Sequence, residues 1–291
     1  MKKRNLSLFV LSLSLAFTTN AGTMGEMRSP FDGFYAGAEL GESIAIANES
    51  VVGSGNATIA LGGLFEVSGT IPLSIKTNIS KEHILGAIYG GYGHAWKHLY
   101  LGGELTLSWS DYSMRSRRNF SLDENLNVPG AAINIPIANT STDIVSYPKI
   151  SPTQFAAAFR PGFLLDKNAL LYGRVGFTVA KIQYAVSTLT QNTIFTAPST
   201  PITSIPTSSK RSVFLQLGGG LEYAMINQLS LRADYVYTYY GKLQNNTASS
   251  NSLIVNDGGV LTHVGSADIT GTNNIKMHDH ALTLGLAYHW A

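Results

Sequence analysis

The fold of this chain is most constrained by segments in which large apolar side chains alternate with small or polar ones. The segment between Leu99 and Trp109 shows the pattern clearly, because leucines and the tryptophan are separated by Tyr, Gly, Glu, Thr and Ser. Successive side chains of a β-strand point to opposite faces, so such a segment predicts a strand with one apolar face. After residue 21, no apolar run reaches the ~20 residues that a transmembrane helix requires. The apolar residues therefore predict strands.

Eight segments follow or approach this pattern, and seven of them have an unambiguous apolar face. The seven clear segments are 33–46, 99–109, 154–163, 171–179, 213–223, 229–239 and 281–290. In the remaining segment, about 83–96, glycines such as Gly86 and Gly91 lie on both faces, so we predict a strand there without a defined register. A water-soluble β-sandwich is the main alternative. It would not carry its largest apolar residues on a face that continues around every strand.

The connections between these segments alternate strictly between short and long. The short links are 96–98, 165–169 and 224–228, and the long ones are about 47–82, 113–152, 187–211 and 241–277. An up-and-down membrane barrel with short periplasmic turns and longer external loops has this order. We therefore predict an all-β fold: an eight-stranded antiparallel up-and-down transmembrane β-barrel with four long extracellular loops and both chain ends on the periplasmic side.

The N-terminal residues are typical of a secretory signal peptide. Basic residues at positions 2–4 precede an apolar run over 6–17, and residues 19–21 form a suitable cleavage site. We predict a signal peptide over 1–21 and a β-barrel domain over 22–291.

Composition excludes several classes of function. The chain has no cysteine, which excludes disulfides, cysteine-ligated metals and cysteine nucleophiles. Only 13% of residues are charged, which is about half the usual share of a soluble protein. The predicted signal contains three of the 20 Lys and Arg residues and none of the 18 Asp and Glu residues, so the remaining net charge is −1. We therefore predict no nucleic-acid partner.

The glycine-rich sequence Gly86–Gly93 and the terminal alternation Leu282–Trp290 resemble small outer-membrane barrels of the OmpA-like and opacity-protein type. The resemblance covers almost the whole chain after the signal. It implies the outer membrane of a Gram-negative bacterium, with lipid and lipopolysaccharide as surroundings and the barrel-assembly machinery as a partner during biogenesis. In such families the last strand commonly ends in an aromatic residue, whereas Trp290 is penultimate here. We expect no peptidoglycan-binding domain, so the wall-anchoring role of OmpA-like proteins is not implied.

Charged residues on the inward positions form the most informative polar set. In an eight-stranded barrel the interior is just wide enough to be filled by side chains, and buried charges must be paired to avoid a cost of several kcal/mol. We predict a structural salt-bridge network; a gated ion path and a catalytic pair of carboxylates are the alternatives. The predicted members are Glu39, Glu104, Arg160, Arg174, Glu222, Arg232 and Asp234.

Aromatic residues on the outward positions are predicted to lie at the two membrane–water boundaries, which suit amphipathic rings. A carbohydrate-binding platform is the alternative for the tyrosines of the seventh segment. The predicted boundary residues are Trp109, Tyr223, Tyr235, Tyr237, Tyr239, Tyr288 and Trp290.

Arg115, Arg117 and Arg118 follow Trp109 at the outer end of the third segment. If alternation continues, Arg115 and Arg117 point outward at the height of lipopolysaccharide phosphates, which arginine binds through paired hydrogen bonds. We predict contact of this arginine group with lipopolysaccharide, with simple solvation or a host polyanion as alternatives.

Metal and enzyme sites receive little support from the sequence. His278 and His280 share one strand face and could bind one ion, but no third ligand is evident beyond His263 in the same loop. No G-x-S-x-G motif is present. A histidine of this pair with an external acid such as Asp111 could only imitate a protease site. We therefore predict no metal, no cofactor and no catalytic residues.

These observations favour a surface protein with a structural role, a ligand-binding role, or both, that would contact host or environmental ligands through its extracellular loops. A narrow porin that passes ions or small solutes is the alternative. An outer-membrane hydrolase is the third reading.

Overall fold

A computed structural model of the chain describes residues 29–61, 65–127, 134–194, 197–198, 202–204, 207–226, 228–257 and 260–290. These residues form strands almost throughout. The strands are β1 (Gly33–Leu61), β2 (Phe65–Trp96), β3 (Leu99–Ser110), β4 (Ser116–Asn127), β5 (Asn134–Ile150), β6 (Thr153–Asp166), β7 (Ala169–Ile194), β8 (Ala197–Pro198), β9 (Ile202–Ser204), β10 (Thr207–Ile226), β11 (Leu229–Asp257) and β12 (Val260–Trp290). In the described part of the chain, no helix is long and apolar enough to cross a membrane.

Eight of these strands close into a ring. The antiparallel order is β1-β2-β3-β6-β7-β10-β11-β12, and β12 pairs with β1 to complete it. Each strand of the ring pairs with the ring strand that precedes it and with the one that follows it along the chain. The predicted up-and-down barrel is therefore confirmed.

Side chains alternate between the two faces of the wall as the sequence pattern predicts. On β3 the burial alternates residue by residue, with Leu99, Leu101 and Leu105 exposed and Tyr100 and Glu104 buried. The exposed apolar side chains of the eight strands form a continuous outward band that suits lipid. The structure also defines the face assignment of the second segment, which the sequence left open: Ile84 and Ile88 point outward, whereas Tyr89 points inward.

The long connections contain far more strand than the sequence analysis anticipated. β1 and β2 stay paired as far as Leu61 and Phe65, and β11 and β12 stay paired as far as Asp257 and Val260. β4 and β5 form a hairpin that continues the β3–β6 hairpin outward. The extracellular connections are thus extended β-hairpins, because the hydrogen-bond ladder of the barrel strands continues into segments rich in Ser, Thr and Asn.

Beyond the outward apolar band, the ring separates into two sheets. β2 pairs with β3 only between Leu85 and Trp96, and β10 pairs with β11 only between Leu215 and Ile226. One sheet contains the outer parts of β11, β12, β1 and β2, and we call it sheet A. The other contains the outer parts of β10, β7, β5 and β4, with the short β8 and β9 on β7, and we call it sheet B. The two sheets face each other across an interior that contains a large apolar cluster and a buried ion pair.

The opposite end of the barrel has short turns, as predicted. β2 and β3 are joined by Lys97 and His98, and β6 and β7 by Lys167 and Asn168. Lys97 has a φ of 54°, which this tight two-residue turn requires. The predicted signal peptide over 1–21 lies outside the described residues.

Candidate functional site

Register explains how three arginines can share the interior of so narrow a barrel. Each arginine lies opposite a glycine on a neighbouring strand, which leaves space for the long side chain. The pairs are Arg160 with Gly102, Arg174 with Gly218, and Arg232 with Gly285.

The three guanidinium groups converge on one carboxylate, that of Glu104. The distances to its oxygens are 3.1 Å from Arg160 Nη1, 2.9 Å from Arg174 Nη1 and 2.6 Å from Arg232 Nη1. The side chains of Glu104, Arg160 and Arg232 are fully buried. Charge-assisted hydrogen bonds of this kind are about twice as strong as neutral ones. Glu104 is therefore the centre of the interior charge network.

Two further carboxylates balance the charge of the arginines. Glu222 Oε2 accepts a hydrogen bond of 2.9 Å from Arg160 Nη2, and Asp234 accepts one from Arg232 Nε. Three arginines thus meet three carboxylates in the buried cluster. Glu39, which the sequence analysis included, makes no ion pair there; it accepts a hydrogen bond of 3.1 Å from Thr283 Oγ1.

Tyrosine, serine and histidine side chains complete the network, and the sequence did not indicate that they belong to it. Tyr172 OH donates to Asp234 Oδ1 at 2.6 Å, and its ring lies 3.8 Å from the Arg160 guanidinium carbon. Ser230 Oγ and His289 Nε2 lie 2.6 Å and 2.7 Å from Glu222 Oε1. Their inward positions could be seen in the alternation, but contacts across the barrel depend on how the ring closes.

Apolar groups pack the interior on both sides of the network. At the periplasmic end Phe31, from the turn before β1, is fully buried and packs with Tyr100 and Leu170. Toward the outside, a larger apolar cluster lies between the two sheets and includes Ile182 and Met277. The described interior is therefore filled by side chains along the barrel.

A second buried ion pair lies in the outer part of the barrel. Arg118 Nη2 donates to Glu49 Oε2 at 2.9 Å, and Ser146 Oγ donates to the same oxygen at 3.1 Å. Tyr184 donates to the other Glu49 oxygen, and burial beside this carboxylate raises the pKa of the Tyr184 hydroxyl above its ordinary value. Arg118 lies four residues after the inward-facing Met114, so alternation places both side chains on the same face. Arg118 therefore points inward and does not belong to the predicted outward arginine group.

The outward aromatic residues lie toward the two ends of the exposed apolar band. Trp109, Tyr235 and Tyr239 are exposed toward its outer edge, and Tyr223 is exposed near the periplasmic end of β10. Tyr237 is half-buried against two histidines, and Tyr288 packs edge-on against Trp290 near the end of β12.

Basic residues follow the outer edge of the apolar band on sheet B. Arg115 and Arg117 are exposed there, and Arg115 lies 5.7 Å from the ring centroid of Tyr147. Lys181 lies directly opposite Arg211, one outward position beyond the apolar pair Val179 and Val213. Like charges placed opposite each other are unfavourable unless an anion lies between them.

The histidines are distributed over several environments. His83 is buried and its ring packs on Tyr112 at 5.1 Å, whereas His278 and His280 lie on the outward face of β12. Asp279, between them in sequence, points inward and accepts a hydrogen bond of 2.5 Å from Ser43 Oγ. Among the described residues no three His, Asp or Glu side chains gather as metal ligands. The side chain of His263 lies outside what the structure describes.

Comparisons with known proteins agree with this architecture. A family model described as outer membrane protein beta-barrel domain matches residues 9–289. No curated protein matches the chain. Similar solved structures include Ail, the attachment invasion locus protein of Yersinia pestis, solved with the heparin analogue sucrose octasulfate; it is 13% identical with a TM-score of 0.26, over 87% of this chain and 99% of that one.

Two other solved structures are similar at the same low level. Neisserial surface protein A is 13% identical with a TM-score of 0.24, over 80% of this chain and 96% of that one. A Pseudomonas aeruginosa FadL homologue is 9% identical with a TM-score of 0.22, over 89% and 91%. Because the family model spans nearly the whole chain and the strands close into the corresponding barrel, this protein belongs to the outer membrane protein beta-barrel family and resides in the outer membrane of a Gram-negative bacterium.

Proposed function

We propose that this protein is a non-conducting outer-membrane anchor that presents its extracellular hairpins, above all sheet A, to a ligand outside the cell. The observation that carries this proposal is the continuous pairing of sheet A beyond the membrane band. β1 is hydrogen-bonded to β12 on one side and to β2 on the other from Ala47 to Ile59. At ~3.3 Å per residue this pairing extends about 40 Å, which is a rigid surface well clear of the lipid.

The packed interior supports an anchor in preference to the narrow porin. Conduction would require water or ions to pass the cluster around Glu104, where the carboxylate is enclosed by three guanidinium groups. It would also require passage through the apolar cluster between the sheets. The same proposal assigns no catalytic activity to the protein. The carboxylates of the buried cluster are hydrogen-bonded to arginines and a tyrosine and are enclosed by packed side chains.

The test transfers the hairpins to an inert eight-stranded barrel. Residues 47–82 and 241–277 must be moved together, because β1 and β12 pair with each other along sheet A. We expect bacteria that display the native barrel to adhere to cultured host cells, and we expect the recipient barrel to acquire the same adhesion. The native barrel in a planar bilayer should give no steady single-channel conductance.

The matched control moves 113–152 and 187–211, the segments of sheet B, into the same recipient. Binding carried equally by this control would contradict the assignment to sheet A. Reproducible conductance by verified folded barrel, altered in Glu104→Gln, would instead favour the porin.

We further propose that the basic residues beside the apolar band contact phosphate groups of lipopolysaccharide in the same membrane. The proposed contact residues are Arg115, Arg117, Lys181 and Arg211. Arg118 is not among them, because it pairs with Glu49 inside the barrel. The ion pairs among the described residues include none with Lys181 or Arg211. Lys181 and Arg211 lie directly opposite each other, so one anion between them would reduce their mutual repulsion.

Lys181→Gln combined with Arg211→Gln should weaken lipopolysaccharide binding by about 30-fold, at roughly 1 kcal/mol for each basic residue near an anionic surface. Binding is measured from the rise in unfolding temperature on addition of lipopolysaccharide. Lys242→Gln with Lys276→Gln is the control, because these two lysines also lie directly opposite each other but belong to sheet A, on other strands than Lys181 and Arg211. Equal weakening by both double variants would contradict a site at Lys181 and Arg211.

A further inference from the structure

The outward face of sheet A carries a pair of histidines at the edge of the membrane band. His278 and His280 are two residues apart on β12, and both side chains are partly exposed. Their ring centroids lie 5.5 Å apart with an angle of 80° between the ring planes. The pair is flanked on the β1 side by Ile46 and Ile44, which lie opposite them in the register. No charged side chain occupies those flanking positions to compete for the imidazoles.

The separation of the two rings matches that of two imidazoles bound to one metal ion. With a metal–nitrogen distance of ~2.0–2.1 Å, each ring centroid lies about 3.2 Å from the ion, and two tetrahedrally placed rings are then about 5 Å apart. The observed 5.5 Å is within the reach of a small rotation of either side chain. The ring separation is therefore compatible with one ion shared by the two histidines.

Neighbouring tyrosines orient the two rings. Tyr235 OH lies 2.7 Å from His280 Nδ1, which leaves Nε2 of that ring free to bind a metal. Metal-binding histidines commonly use their second ring nitrogen in a hydrogen bond of this kind, which defines the tautomer and the ring direction. The Tyr237 ring packs against both histidines, at 5.1 Å from His280 and 5.9 Å from His278.

We propose that His278 and His280 form a surface site for a divalent first-row transition metal ion, Cu²⁺ or Zn²⁺. Imidazole nitrogen suits these ions and not Mg²⁺ or Ca²⁺, and Cu²⁺ is the tightest binder of the series. The remaining positions around the ion belong to water, because the described residues provide no third His, Asp or Glu ligand. The site is independent of the proposed adhesive function, since it lies on the outward wall and needs no ligand of the extracellular sheet.

The test titrates Cu²⁺ into the folded, detergent-solubilised full barrel and records calorimetry and electron paramagnetic resonance. We expect one equivalent bound, with spectra that show two directly coordinated imidazole nitrogens. His278→Ala with His280→Ala should abolish this signal. Tyr235→Phe keeps the ring and should weaken binding by about tenfold or more, as loss of an orienting hydrogen bond does at other metal sites.

His98→Ala is the control, because this exposed histidine lies in a periplasmic turn and stacks on Phe163. It should bind Cu²⁺ as the native chain does. A two-nitrogen signal that persists in the double histidine variant would overturn the proposal, and so would an absence of saturable binding by the native barrel. Because Tyr235→Phe removes only a hydroxyl on the outward face, its result stands even where the double variant folds poorly.

Discussion

Glu104→Gln should destabilise the folded barrel by about 3–5 kcal/mol, the usual cost of removing one partner from a buried ion pair. The amide preserves the shape of the side chain but removes the one negative charge that contacts all three arginines. Two carboxylates, those of Glu222 and Asp234, would then face three buried guanidinium groups. The free energy of unfolding is measured by urea titration of the folded barrel in detergent micelles, followed by tryptophan fluorescence.

Glu39→Gln is the matched control for this prediction. Glu39 also points inward, and the substitution is chemically identical. Among the described residues, however, the Glu39 carboxylate accepts a hydrogen bond from Thr283 and forms no ion pair with an arginine. The loss should be only about 1 kcal/mol, because the amide oxygen of the variant can still accept the hydrogen bond from Thr283. Equal losses in the two variants would contradict the central position of Glu104 in the charge network.

The barrel strands could be predicted because a period of two is readable wherever large apolar residues mark one face. β3 shows this in Leu99, Leu101 and Leu105, all exposed in the structure as the pattern requires. β2 lacked such a mark, since its glycines add no side chain to either face, and its register became clear only from pairing with β1. A strand can therefore be recognised in the sequence only where large side chains mark one of its faces, even though strands also form without them.

The outer hairpins were harder to predict for the same reason. Segments such as 245–252 contain mainly Asn, Ser and Thr, which give no apolar alternation and are equally common in irregular loops. They form strands because they extend a hydrogen-bond ladder that the barrel has already begun. The sequence therefore indicated where the strands cross the membrane better than where they end.

The interior network was predictable in orientation but not in connectivity. Parity along each strand places Arg160, Arg174 and Arg232 inside. Their convergence on Glu104 depends on ring closure, because the four residues come from β6, β7, β11 and β3. Arg118 shows the limit of reading a cluster by proximity in sequence: parity separates it from Arg115 and Arg117 and turns it toward Glu49.

We expect an added charge on the outward face to lower the free energy of unfolding strongly where that face lies in the middle of the membrane. Leu217 lies near the middle of the exposed apolar run of β10 from Val213 to Tyr223. Leu217→Arg should destabilise the barrel by about 2–4 kcal/mol in a lipid bilayer, since the guanidinium would have to enter hydrocarbon. The unfolding free energy is measured by guanidinium titration in phospholipid vesicles.

Met225→Arg on the same strand provides the depth control. Met225 is also exposed and outward, but it lies beyond Tyr223 next to the periplasmic turn, where an arginine side chain can reach water. Its cost should be about 0–1 kcal/mol. The difference between the two variants reports depth in the bilayer, because the introduced residue, the strand and the face are the same in both. Equal costs would mean that Leu217 does not face hydrocarbon, and the outward apolar band would then have to be explained by another contact surface.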